Sequence, residues 1–232
     1  MLFGGLQKVT LVDYPGKIAA TVFTVGCNFF CPFCHNPELV DPELIKTQPL
    51  IEEKEILDFL KERKDYLQAL CITGGEPTLQ KDLKNFIKKV KKLGYLVKLD
   101  TNGSNPQVLK ELLKENLIDF IAMDIKAPFN KYHLFTKEKD FTKEIKESIE
   151  LIKNSKIDYE FRTTLDPLNL TKEDILKIAE LIKGSKAYYL QQFHNYKTLN
   201  KDYKNLKPIE DKEILEILEK IKPFFEVCGF RQ

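Results

Sequence analysis

The sequence predicts an α/β protein built on an open, curved (β/α)6 sheet, that is, a partial TIM barrel with a parallel sheet. Six strand-then-helix units follow one another along the 232 residues. Such alternation is typical of parallel strands joined by crossover helices. Six units are two fewer than a closed eight-unit barrel needs, which favours the open form, although periodicity alone does not distinguish it from a flat doubly wound sheet. No linker or repeat divides the chain, so we expect one domain over residues 1–232.

The strands are expected where apolar, β-branched residues follow one another. Residues 18–25 are apolar nearly throughout, which is typical of a strand covered on both faces. Residues 6–16, before them, are interpreted as a short extended piece closed by a Pro-Gly turn. The other strands are expected at residues 67–73, 95–99, 120–125, 158–164 and 187–193, with a terminal strand at 225–230.

Apolar residues at helical spacing predict the helices between these strands. In the first helix Ile56, Leu57 and Leu60 lie on one face. The polar stretch 130–139 is interpreted as a loop or a short helix. The helices are expected at residues 51–64, 82–93, 106–115, 142–154, 172–182 and 210–221.

Composition excludes several classes of protein. The chain is 43% hydrophobic and 31% charged, as folded proteins are, and no apolar run is long enough for a membrane helix. A net charge of +2, from 37 basic and 35 acidic residues, gives no support for a nucleic-acid or membrane partner. The N-terminus has no signal-peptide pattern, so we expect a cytoplasmic protein. Five clustered cysteines then favour metal binding over disulfides, although Cys71 and Cys228 are interpreted as small buried hydrophobes.

Three cysteines follow the first parallel strand on one short loop. Cys27, Cys31 and Cys34 are spaced so that their thiolates converge on a single metal centre. Three ligands are one fewer than a cubane iron-sulfur cluster usually has, so one iron is left open or another ligand is borrowed. A structural zinc site is the alternative, but such sites usually draw paired ligands from two segments, and His35 is a poor fourth ligand because adjacent side chains rarely reach the same ion.

Polar or unusual residues follow the other predicted strands. Because the carboxyl ends of parallel strands meet at one edge of the sheet, we expect these residues to lie together there. They are Gly74, Gly75 and Glu76 after the second strand, Asp100, Thr101 and Asn102 after the third, Asp124 and Lys126 after the fourth, Arg162 in the fifth and His194 after the sixth.

Each of these groups can also be explained by a purely structural role. Residues 74–75 fit an ordinary turn, although two glycines also let backbone groups approach a ligand closely. Residues 100–103 fit a turn with a helix cap. Asp124 and Lys126 fit a simple ion pair, yet alternate strand residues point the same way and so face one pocket.

Arg162 and His194 are the least determined of these residues. Arg162 is one of three arginines in a chain that uses lysine for its other basic charges, which indicates a specific anion or a buried pair. His194 fits a core histidine or, because it follows a strand, a site residue.

The cysteine spacing, with Phe33 before the last cysteine, and the Gly-Gly-Glu-Pro segment at 74–77 together resemble the radical S-adenosylmethionine (SAM) superfamily. Residues 12–19, 26–28 and 34–39 resemble the activating enzymes of glycyl radical enzymes, above all the activating protein of anaerobic ribonucleoside-triphosphate reductase. Pyruvate formate-lyase activating enzyme is similar in several of the same places. A radical SAM enzyme acting on a small molecule, such as a 7-carboxy-7-deazaguanine synthase, and a non-catalytic cluster or zinc module are the alternatives.

The resemblance implies cofactors, partners and residue roles. Cys27, Cys31 and Cys34 would hold three irons of a 4Fe-4S cluster, and the fourth iron would bind SAM. A 5'-deoxyadenosyl radical would then take a hydrogen from a glycine of a partner enzyme, with electrons from a low-potential donor such as flavodoxin or ferredoxin. SAM would be bound by Phe33, Gly74, Gly75, Glu76, Asp100, Asn102, Lys126, Arg162 and His194, and a monovalent cation by Asp100, Thr101 and Asp124.

Overall fold

The structure, a computed structural model, describes residues 1–137 and 139–232. One nine-stranded sheet runs through these residues, with the strand order β3-β1-β2-β4-β5-β6-β7-β8-β9. The strands are β1 (Leu2–Thr10), β2 (Ala19–Thr24), β3 (Ile51–Glu52), β4 (Ala69–Gly74), β5 (Leu96–Thr101), β6 (Phe120–Asp124), β7 (Asp158–Thr164), β8 (Ala187–Gln191) and β9 (Val227–Arg231).

The seven strands β2 and β4–β9 are parallel, and β1 pairs antiparallel with both β2 and β3. The sheet ends in β3 on one side and β9 on the other, and these two edges do not pair with each other. The predicted open sheet of parallel strands, the partial barrel, is therefore confirmed.

Helices separate the parallel strands as predicted. The α-helices are α1 (Pro37–Val40), α2 (Pro42–Thr47), α3 (Glu53–Glu62), α4 (Leu83–Lys92), α5 (Pro106–Lys114), α6 (Thr142–Lys153), α7 (Lys172–Leu181) and α8 (Asp211–Ile221). Short 3-10 helices lie at Pro77–Leu79, Phe129–Phe135, Lys201–Asn205 and Lys222–Phe224. In the part of the chain that the structure describes, no helix is both long enough and apolar enough to cross a membrane.

The structure differs from the sequence prediction mainly before α3. The extended piece expected at 6–16 is the strand β1, which begins at Leu2 and ends at Thr10. Its side chains are buried only irregularly, so its sequence lacks the clean alternation that marks a half-buried strand. The strand β3 and the helices α1 and α2 were not predicted, because two to six residues are too few to show a period. The stretch 130–139 contains a 3-10 helix ending at Phe135, and position 138 lies outside the described residues.

Apolar side chains pack the space between the sheet and its helices. Ile72, Leu99 and Ile121 are fully buried in neighbouring strands of this core. A smaller cluster at the amino ends of the strands includes Tyr14 and Cys71, and the ring of Tyr14 packs against Phe120 at 5.7 Å.

Candidate active site

One cavity lies at the carboxyl ends of β2 and β4–β7. It collects twelve of the fourteen residues that the sequence nominated, which are Cys27, Cys31, Phe33, Cys34, Gly74, Gly75, Glu76, Asp100, Thr101, Asn102, Asp124 and Lys126. Arg162 and His194 are the two that do not line it. The convergence expected from parallel strands is thus present for nearly the whole set.

The cysteine loop, residues 26–36, is fixed by three different parts of the chain. The Gly26 N–H donates to the Leu39 carbonyl at 2.7 Å, and the Phe30 N–H donates to the Phe135 carbonyl at 2.7 Å. The Pro32 carbonyl accepts from the Asn200 N–H at 2.9 Å. The loop is therefore held from α1, from the segment after β6 and from the segment after β8.

Gly74 and Gly75 bring the end of β4 against the end of β2. Gly74 has a φ of +111°, and a Cβ on either glycine would overlap backbone atoms of Thr24 or Gly26. The Gly75 N–H donates to Thr24 O at 2.9 Å, and the Glu76 N–H donates to Gly26 O at 2.8 Å. The close backbone approach that the two glycines permit is thus to the chain's own cysteine loop.

The Glu76 carboxylate ties the ends of β4 and β5 together. Its Oε1 accepts from the Thr78 hydroxyl at 2.6 Å, the Thr78 N–H at 3.1 Å and the Thr101 hydroxyl at 2.8 Å. Its Oε2 accepts from the Asn102 N–H at 2.7 Å. Burial raises the pKa of Glu76, and these hydrogen bonds oppose the rise. Oε2 accepts a single bond, so it keeps acceptor capacity at the wall of the cavity.

Asn102 carries this connection on to the cysteine loop. Its side-chain amide donates to Asn28 Oδ1 at 3.0 Å and contacts Cys27 Sγ at 3.9 Å. Asn28 in turn donates to the Ser104 hydroxyl at 2.8 Å. The ends of β2, β4 and β5 are therefore joined by one continuous set of hydrogen bonds around Cys27.

Asp100 and Asp124 lie in a network of buried ion pairs. Arg162 joins them, with Nε 2.8 Å from Asp124 Oδ1 and an Nη1 3.3 Å from Asp100 Oδ2. Lys98 lies 2.5 Å from Asp100 Oδ1, and Lys126 lies 3.0 Å from Asp124 Oδ2. Burial acts to raise the pKa of Asp124, but Arg162 and Lys126 outweigh it and hold that pKa at about 2.

These ion pairs limit the roles that Arg162 and a bound monovalent cation can have at this site. Arg162 does not line the cavity, but it bridges the two aspartates that do and so holds them in position. Each of the four carboxylate oxygens already has a cationic donor, and the Thr101 hydroxyl donates to Glu76. A monovalent cation at Asp100, Thr101 and Asp124 would have to displace or share one of these donors.

His194 lies beside the cysteine loop, outside the cavity wall. His35 Nε2 lies 3.1 Å from the His194 carbonyl oxygen, and the two rings are 5.9 Å apart. The exposed ring of Tyr196 lies 5.5 Å from His35 and 5.8 Å from His194. The segment after β8 is thus attached to the residue that follows Cys34.

Comparison with known proteins identifies the family. Residues 21–182 match the radical SAM superfamily. The chain belongs to the radical SAM superfamily. It is 36% identical over 230 residues to a Methanocaldococcus jannaschii protein named as a candidate glycyl-radical enzyme activating enzyme, covering 97% of this chain and 93% of the relative. It is 30% identical over 232 residues to the pyruvate formate-lyase-activating enzyme of Clostridium pasteurianum, covering 93% of this chain and 94% of that protein.

These relatives place the chain among the activating enzymes of glycyl radical enzymes, and it is an enzyme of that class.

Solved structures share its fold at lower identity. Streptococcus suis SuiB bound to S-adenosylmethionine has a TM-score of 0.64 at 16% identity, covering 89% of this chain and 48% of that chain. Escherichia coli QueE has a TM-score of 0.58 at 14% identity, covering 97% and 92%.

The radical SAM superfamily uses a 4Fe-4S cluster and SAM, and the cysteine loop fits such a cluster. All three thiols line the cavity, and Cys27 Sγ accepts from the Phe29 N–H at 3.4 Å, a type of contact that tunes iron-sulfur clusters. Burial raises the pKa of all three thiols, that of Cys31 to about 12, so cluster binding must displace their protons. Within residues 1–137 and 139–232 no group of three His, Cys, Asp or Glu side chains is placed to hold a single metal ion.

Residues that the sequence reasoning missed also contact the charged residues around the cavity. Lys98 and Glu160 are buried in strands, where Lys98 pairs with Asp100 and Glu160 binds Arg231 at 2.7 and 2.8 Å. Each lies two residues before a nominated charge in the same strand, so the alternation that associated Asp124 with Lys126 would have found both. Asn28 and Ser104 carried no comparable signal, because their partners lie in a distant part of the chain.

Proposed function

We propose that this chain activates anaerobic ribonucleoside-triphosphate reductase by generating a glycyl radical on it. The observation that carries the proposal is the cavity itself, where three cysteines and the polar strand ends meet in a sheet that stays open at one side. Membership of the activating enzymes supports a glycyl radical enzyme as the partner. The likeness of residues 12–19, 26–28 and 34–39 to activating proteins of the reductase supports this particular partner.

Cys27, Cys31 and Cys34 would hold the cluster and leave one iron for SAM. When bound, the reduced cluster supplies one electron to the sulfonium of SAM, which gives methionine and a 5'-deoxyadenosyl radical. The chain's own residues bind and orient the cofactor, exclude water from it and present the partner's C–H bond. With a hydrogen atom taken from the partner glycine, the products would be 5'-deoxyadenosine and a glycyl radical.

The polar residues of the cavity suit the two charged groups of the SAM methionine. Glu76 Oε2 and Asp100 offer acceptors for an ammonium group at the ends of β4 and β5. Lys126 uses one contact to Asp124 at 3.0 Å, so its ammonium keeps donors for a carboxylate. Asn102 adds an amide at the same wall.

Phe33 and His194 would form the adenosine side of the site. The buried ring of Phe33 lines the cavity, with Lys126 Nζ 5.7 Å from its centroid and Phe135 packed behind it at 5.9 Å. This ring gives adenine a flat apolar wall. His194 would reach the ribose from the segment after β8, and Arg162 would act through Asp100 and Asp124.

The unpaired edge of the sheet supports a macromolecular substrate. A glycine on a loop of a folded partner needs an open side of the sheet to reach the cavity, and β9 is an edge strand. A low-potential electron donor such as flavodoxin or ferredoxin would supply the electron.

Pyruvate formate-lyase is the second candidate partner. The specific observation in its favour is the 30% identity to the activating enzyme of C. pasteurianum over nearly the full length of both chains.

The test uses the full chain, reconstituted anaerobically with iron and sulfide, reduced, and supplied with SAM and one purified partner at a time. We expect 5'-deoxyadenosine and the glycyl radical doublet in electron paramagnetic resonance spectra with the ribonucleotide reductase. A doublet with pyruvate formate-lyase only would transfer the function to the second candidate. 5'-Deoxyadenosine without a doublet from either folded partner would refute both and favour a small-molecule substrate.

A further inference from the structure

A fully buried carboxylate lies behind the cavity, two residues after Thr164 of its wall. Asp166 Oδ1 accepts from the Leu168 N–H at 3.0 Å and the Asn169 N–H at 3.3 Å. The Asn169 side-chain amide donates to Oδ2 at 2.9 Å. The Tyr203 hydroxyl lies 3.1 Å from both oxygens. The carboxylate is thus enclosed by donors on every side.

This set of donors indicates that Asp166 carries a buried negative charge without a counter-ion. A carboxylate surrounded by donors accepts from all of them only when it is ionised. Among residues 1–137 and 139–232 Asp166 forms no ion pair, and Lys131, which donates to the Asn169 carbonyl of the same turn at 2.9 Å, is paired with Asp174 at 2.6 Å. Buried charges are normally paired, so an unpaired one calls for an explanation.

Hydrogen bonds link Asp166 to the cysteine loop through Tyr203 and the short helix that contains it. Tyr203 belongs to the short helix that begins after Asn200. The Asn200 N–H donates to the Pro32 carbonyl at 2.9 Å, and Pro32 is the neighbour of Cys31. Asp166, bonded to Tyr203, therefore lies on the side of the cavity formed by Cys31.

Asp166 differs from the aspartates of the cavity wall in having no cation of its own. Asp100 is neutralised by Lys98 and Arg162, and Asp124 by Arg162 and Lys126. Among residues 1–137 and 139–232 no ion pair offsets the charge of Asp166, which is held by hydrogen-bond donors alone.

We propose that Asp166 sets the reduction potential of the cluster held at Cys31, by placing a fixed negative charge behind that ligand. Reduction adds one electron to the cluster, and a nearby anion makes this addition less favourable, so the potential falls. A lower potential makes the reduced cluster a stronger donor of an electron to SAM. Asp166 therefore acts through the cluster and does not touch the substrate.

The test measures the midpoint potential of the cluster in the reconstituted full chain. The reduced cluster is followed by electron paramagnetic resonance during a dithionite titration with mediators and without SAM, and iron and sulfide contents are determined. We expect Asp166→Asn to hold a complete cluster with a midpoint shifted to more positive values. Asp202→Asn removes an exposed carboxylate, screened by solvent, from the same short helix as Tyr203, and its midpoint is expected to equal that of the wild type. An unchanged midpoint in Asp166→Asn would overturn the proposal.

A second variant separates charge from packing. Tyr203→Phe keeps the Asp166 charge and removes one of its donors, so the field at the cluster strengthens and the midpoint is expected below the wild-type value. A positive shift in both variants would assign the effect to disturbed packing and overturn the proposal. If Asp166→Asn fails to hold a cluster, the sign of the shift in Tyr203→Phe decides, and a positive shift or none overturns it.

Discussion

Gly75→Ala is expected to destabilise the protein and to impair cluster assembly, although it changes none of the cysteines. A Cβ at position 75 would overlap the carbonyl oxygen of Gly26 and lie 2.7 Å from its carbonyl carbon. These are backbone atoms, which cannot rotate away as a side chain can. The ends of β2 and β4 must therefore separate, and the cysteine loop starts from one of them.

The magnitude follows from what the separation breaks. Overpacking of a tight site costs about 1–3 kcal/mol. The bonds from the Gly75 N–H to Thr24 O and from the Glu76 N–H to Gly26 O contribute about 0.5–1.5 kcal/mol each. The free energy of unfolding should thus fall by about 2–6 kcal/mol, which for a chain of this size lowers Tm by at least about 4 °C.

Gly26→Ala is the matched control, because Gly26 has a φ of +88° and, among the described residues, no atom lies within 4 Å of the place that a Cβ would take. It carries backbone strain of about 1–2 kcal/mol without a clash. Thermal unfolding and iron content of both variants are measured side by side. If Gly75→Ala unfolds no earlier than Gly26→Ala and binds as much iron, the close approach is not what positions the loop.

Two further predictions concern the ligands and the ion pairs. Cys31→Ala should abolish cluster assembly, whereas Cys228→Ala, at the far edge of the sheet, should leave iron and sulfide content nearly intact; equal loss would refute the division between them. Arg162→Met should lower the free energy of unfolding by about 3–5 kcal/mol in urea at pH 7, because two buried aspartates lose a shared partner. The wild-type pKa of Asp124, about 2 against an ordinary 3.8, keeps its contribution intact above pH 3.8 and loses it as the pH falls towards 2, and in Arg162→Met this loss should begin at higher pH.

The parallel part of the fold was predictable because its signals are local and strong. The strands β4, β6 and β8 are largely apolar runs of five or six residues, and β5 and β7 interleave apolar with polar or charged residues. Each of these strands is followed by an amphipathic helix. The strand β1 was misjudged because its burial is irregular and it lies beside the short edge strand β3. The strand β3 was missed because two residues form a strand only through their pairing with β1, which no local pattern announces.

The site was predictable as a set of residues but not as a set of contacts. The positions of Asp100 and Asp124 at strand ends predict that they belong to the site, but not that Arg162 bridges them. The bridge depends on the register of three neighbouring strands. The same holds for Asp166 and Tyr203, which are 37 residues apart and meet only because the segment after β8 returns to the cysteine loop. Such pairs are properties of the tertiary structure.

The Gly-Gly-Glu segment illustrates how a short motif acts through geometry. Gly74 and Gly75 place β4 against the start of the cysteine loop, and the Glu76 carboxylate binds the end of β5 through Thr101 and Asn102. The three residues thus hold in register the strands that carry the cysteines and the polar wall. The substitution Glu76→Gln keeps the shape of the side chain but replaces one acceptor oxygen by an amide donor. That donor would face the Thr and Asn donors that now bind the carboxylate. A motif of this kind marks a junction of strand ends, and its substitution should disturb cluster and cofactor binding together.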